Sequence, residues 1–74
     1  WIDNAKQILA TYYSKNSYED LFPNAMYMSR EEWIEQMLGN LLCDMLLLAE
    51  KEKVNWANVE SYAKRHFEAD KNLI

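Results

Sequence analysis

Asn40 and Asp44 stand four residues apart, with Asp44 inside the apolar run Leu41-Leu42-Cys43-Asp44-Met45-Leu46-Leu47-Leu48-Ala49. On a helix that spacing puts both side chains on one face, and Gly39 beside them permits close approach of another backbone or of a ligand. A carboxylate among leucines is costly unless it is paired, so Asp44 must meet a cation, a hydrogen-bond donor or water. Two readings stay open. Either the face carrying Asn40, Asp44 and Lys51 is a thin solvated seam, hydrogen-bonded where it meets the connector or a partner chain, or Asn40 and Asp44 form a polar pocket for a ligand or a metal.

Glu31, Glu32 and Glu35 are a second carboxylate group. The Glu32-x-x-Glu35 spacing presents two hard oxygens on one helical face, the donors that Mg²⁺ takes, so Glu32, Glu35 and Asp44 are the candidates for a cation site. First-turn acids also complement the positive end of a helix dipole, which accounts for them without any ion. Other chemistry is thin. His66, the single histidine, has no serine, cysteine or carboxylate pair nearby in sequence that would assemble a nucleophilic triad. The lone Cys43, set among leucines, reads as a core thiol. A single glycine excludes a glycine-rich phosphate loop.

These groups need elements to position them. Ile2, Ala5, Ile8, Leu9, Tyr12 and Tyr13 recur at helical spacing and predict a first helix over about residues 2–14. Ser17 then caps a single turn through Phe22, which Pro23 ends. The large side chains of the connector, Tyr18, Leu21, Phe22, Met26, Tyr27 and Met28, are expected to pack against the helices. Ser29-Arg30-Glu31-Glu32 is a capping box that opens a second helix. Its apolar series Ile34, Leu38, Leu41, Met45 and Leu48 is widened by Trp33, Met37, Leu42, Leu46, Leu47 and Ala49 to well over half the circumference. Charged residues end it near Lys53. Asn55 caps a third helix to about Lys71, with Val54 and Val59 at the two positions of a hydrophobic staple. That helix is expected to bury Val59, Tyr62, Ala63, Phe67 and the ring of His66. The short link makes the second and third helices an antiparallel hairpin. The expected fold is therefore all-α, a single small domain over residues 1–74 with three main helices, completed as an oligomeric helical bundle.

Size and composition argue the same way. A chain of 74 residues is one domain, and at that size only about 60% of the unfolded surface is buried. One cysteine and one histidine rule out an internal disulfide or a structural zinc site, which leaves oligomerisation as the common remedy. Half of the residues are apolar and the net charge is −4, which fits a folded chain. Nucleic acid is not an expected partner, because the densest basic run is Lys64-Arg65-His66 with acids on both sides. Three tryptophans and five tyrosines without a basic groove are core and interface material rather than base-stacking platforms. No stretch approaches the roughly 18 to 20 uncharged residues of a membrane span. There is no secretory leader pattern, and a lone cysteine fits a reducing cytosol, so a cytoplasmic location is expected. The chain opens on Trp1 rather than Met, and the expectation is a trimmed piece with residues missing upstream.

The run Leu38-Gly39-Asn40-Leu41-Leu42-Cys43-Asp44-Met45-Leu46-Leu47-Leu48-Ala49-Glu50, followed by Val54-Asn55 and by Ala63-Lys64-Arg65-His66-Phe67-Glu68, resembles the second half of MazG-like, all-α nucleoside triphosphate pyrophosphohydrolases. The resemblance covers about half of the chain and implies helical dimers or tetramers. In that family an E-x-x-D pair on this helix helps to hold Mg²⁺ against a triphosphate, and Met37 and Asn40 occupy those positions here. The first helix, from Asn4 to Ala10, also lacks the family's E-E-x-x-E acids. Losing both carboxylate sets removes the chemistry rather than tuning it.

The expected function is that of a small acidic interaction or regulatory module, non-catalytic and without a cofactor, that self-associates or binds a protein partner. Trp33, Met37, Leu41, Met45 and Leu48 are the expected interface anchors. One alternative is Mg²⁺-dependent nucleotide hydrolysis using Glu32, Glu35 and Asp44. A second is an acidic inhibitor that covers the basic site of a nucleic-acid-binding protein.

Overall fold

The computed structural model describes residues 2–71. Its elements are α1 (Ile2–Tyr12), a single 3-10 turn (Glu19–Leu21), α2 (Arg30–Lys51) and α3 (Trp56–Asp70), with no strand among the described residues. The all-α class and the three main helices are as the sequence predicts. The chain divides after Cys43 into two compact units, and the division falls inside α2.

In the first unit, α1 stops two residues earlier than its apolar spacing suggests. Ser14 turns to φ 58°, its N–H donates to the Thr11 carbonyl at 3.0 Å, and the Lys15 N–H donates to the Ala10 carbonyl at 2.8 Å. This is a Schellman ending built without glycine. The following turn does not start from a Ser17 side-chain cap. Tyr18 occupies the N-cap with no side-chain bond, and Ser17 contributes only its backbone carbonyl, which accepts from the Asp20 N–H at 3.2 Å. Leu9, Leu21 and Met37 form the core, one from each successive element, and Tyr13, Tyr18, Phe22, Trp33, Ile34 and Leu41 pack around it.

The connector is fastened to α2 at two points. The Trp33 Nε1–H donates to the Leu21 carbonyl at 2.9 Å. The Arg30 guanidinium reaches Glu19 at 3.1 Å and lies 3.8 Å from the Phe22 ring centroid. Tyr27 breaks the expectation of a fully packed connector, being 96% exposed. Tyr18, Phe22 and Trp33 already take the walls of a small core. At the start of α2 the Ser29 hydroxyl accepts from the Glu32 N–H at 3.1 Å, as the capping box predicts.

In the second unit α2 and α3 form the predicted hairpin. Its turn is another glycine-free Schellman ending. Lys53 adopts φ 58°, with the Val54 N–H on the Ala49 carbonyl at 2.9 Å and the Lys53 N–H on the Glu50 carbonyl at 3.1 Å. Asn55 then caps α3, its Oδ1 accepting from the Ala57 N–H at 2.9 Å. None of the described residues from Asp44 onward is buried. Tyr62 and Phe67, expected inside, are each 60% exposed, and Ala63 and His66 are exposed as well. Two helices share one line of contact and cannot enclose a side chain on every side. Cys43, at the end of the first unit, is also exposed rather than core.

Candidate functional site

The Asn40 carboxamide has a definite structural partner. Its Nδ2–H donates to the Tyr13 hydroxyl at 3.0 Å, and that hydroxyl donates to the Met37 carbonyl at 3.4 Å. The Tyr12 hydroxyl donates to the Asn40 carbonyl at 3.3 Å. Helical carbonyls keep a second lone pair free, so the two tyrosines add bonds to α2 without breaking its ladder. The rings meet edge to face, 4.8 Å between centroids. Asn40 thus joins α1 to α2, and this polar group belongs to the architecture of the first unit. Asp44 lies in the second unit, exposed.

Glu32 and Glu35 are exposed on α2. Among the described residues no three His, Cys, Asp or Glu side chains come close enough together to hold a metal ion. The two positions where the family resemblance would require carboxylates do not fit magnesium either. Met37 offers a soft thioether at 5% exposure, and the Asn40 amide is turned to Tyr13. Magnesium demands hard oxygens in octahedral array.

Two open cavities flank this region of the first unit. One, of about 370 Å³, is lined by Tyr13, Lys15, Asp20, Leu21, Pro23, Trp33 and Met37. The other, of about 220 Å³, adds Gln36 and Asn40. Sequence spacing could not reveal them, because their walls come from α1, the connector and α2 and meet only through the fold. Two of their lining donors are engaged already: the Trp33 indole with Leu21 and the Tyr13 hydroxyl with Met37.

The five expected interface anchors divide between the units. Met37 is inside the first unit's core, and Trp33 and Leu41 are half-buried against it. Met45 and Leu48 are exposed on the hairpin, where they line a groove of about 300 Å³ with Ala49, Glu52, Val54, Trp56 and Val59. The predicted staple residues Val54 and Val59 are thus part of that groove. Leu46 and Leu47 are exposed on the same two turns of α2. The charge is uneven. Residues through Cys43 hold six acids against three bases, and those beyond hold six against five. The unit in which no described residue is buried is also the one nearer neutrality.

No protein-family model, curated protein or solved structure matches the chain.

Proposed function

We propose that this chain is a small acidic helical interaction module that self-associates and has no catalysis of its own. One observation carries the reading. From Asp44 to Lys71 the hairpin exposes Met45, Leu46, Leu47, Leu48, Val54, Tyr62 and Phe67 and buries nothing completely. Apolar surface left in water forgoes about 25 cal/mol per Å², and large contiguous patches of it mark sites of association. A second copy supplies the missing cover without a new sequence.

Kinship with a catalytically degenerate MazG-like domain belongs to the same proposal and rests on the apolar run of α2 and the spacing on to Asn55. The exposed thiol of Cys43 fits a reducing compartment, which makes the cytoplasm the proposed setting. Sedimentation equilibrium tests the reading directly. A mass of two or more chains at micromolar concentration is expected, and a stable monomer there overturns it.

A further inference from the structure

The hairpin presents a hole and a knob that it cannot bring together itself, and we propose that two copies pair antiparallel about a two-fold axis, the Phe67 ring of each filling the groove of the other. The inference rests on the self-association reading and names its surface and geometry. The groove beside the 52–55 connection, about 300 Å³ and walled by Met45, Leu48, Ala49, Val54, Trp56 and Val59, is ample for a phenyl ring, since an apolar cavity of about 150 Å³ already accepts benzene. Trp56, Val59, Ala63 and Phe67 form one stripe of α3. Phe67 is therefore on the groove's side of the helix but eleven residues beyond Trp56, about 16 Å along the axis. An antiparallel two-fold operation exchanges those ends, so a single docking satisfies both copies. Between the ends, the small side chain of Ala63 lets two α3 helices approach closely.

The occupant is a second copy on grounds of area and charge. A standard interface takes about 800 Å² from each partner, a little over half of it apolar. Met45, Leu48, Val54 and Phe67 are each about half exposed, and at on the order of 100 Å² apiece they supply most of that apolar share. The hairpin carries six acids and five bases, so like-charge repulsion does not oppose self-pairing. Lys71, 5.5 Å from the Phe67 ring centroid, is tied to Glu68 at 2.7 Å, which leaves this edge of the surface nearly neutral.

The test uses the whole chain and two exposed positions. Phe67→Ala removes the knob and Leu48→Glu blocks the hole. Each alone should weaken self-association at least about tenfold, the scale of one well-seated aromatic anchor, with unchanged helical circular dichroism. Mixed together they should associate better than either alone, because the intact Phe67 of one copy meets the open groove of the other. A wild-type dimer that tolerates both changes, or an equimolar mixture without recovery, overturns the pairing while leaving self-association standing. A wild-type monomer overturns both. Should either variant lose helix, a photoreactive benzoyl group on the ring at position 67 gives the second readout. Cross-links to residues 45–59 of an isotopically distinguished second copy are expected, and cross-links elsewhere or none reject the geometry.

Discussion

Tyr13 shows how much of the first unit depends on one phenol. Its hydroxyl accepts from Asn40 and donates to Met37, its ring packs on the core, and it walls both neighbouring cavities. Tyr13→Phe keeps the ring and removes both bonds, and should cost about 0.5–1.5 kcal/mol in urea denaturation. No measurable loss would mean that the bonds are replaced by water. Met37 is the sharper case. At 5% exposure, truncation to alanine should cost about 2–5 kcal/mol, a large share of the total for so short a chain. A loss below about 1 kcal/mol would remove Met37 from the core, since buried methionines lose more than that on truncation. The sequence marks Met37 as apolar and on the helical stripe, but spacing alone cannot say that α1 and the connector cover it while Leu48 is left open.

The endings of α1 and α2 are regular in hydrogen bonding and irregular in residue type. Ser14 and Lys53 occupy the left-handed position that glycine takes without strain, and an L-residue there costs roughly 1–2 kcal/mol. Lys53→Gly should therefore raise stability by about 1 kcal/mol, read as a higher urea midpoint; a decrease would show that the Lys53 side chain has a partner worth more than the strain. Gly39 lies in the opposite situation, inside α2 with a right-handed backbone and nothing within 4 Å of where a Cβ would stand. Gly39→Ala should stabilise α2 by about 0.5–1 kcal/mol. If that substitution instead weakens self-association, close approach at Gly39 occurs in the assembly. The caps at Ser29 and Asn55 were legible because the rule that links a cap to its helix spans only two or three residues.

For the molecule as a whole, the association proposed here is apolar and should behave so. The thermal midpoint should rise with protein concentration, because subunits that bind only the folded state stabilise it by mass action. The dimer mass should persist between low salt and about 0.5 M, where the Debye length falls to a few Å and exposed charge pairs are screened. A complex that instead dissolves in salt would favour the acidic-inhibitor alternative.

What the chain's own residue order determined is local: three helices, two of their caps, and an α2 too apolar for one neighbour. Each follows from contacts a few residues apart, which spacing encodes. The tertiary structure decided which side of that apolar girth was spent. α1 and the connector cover Met37 and half-cover Trp33 and Leu41, while Tyr13 takes up Asn40; among the described residues the hairpin has no third element in its own unit, and Met45, Leu48, Tyr62 and Phe67 stay in water. Burial depends on what approaches from distant parts of the chain, and helical periodicity records only that a face is apolar, never what comes to meet it.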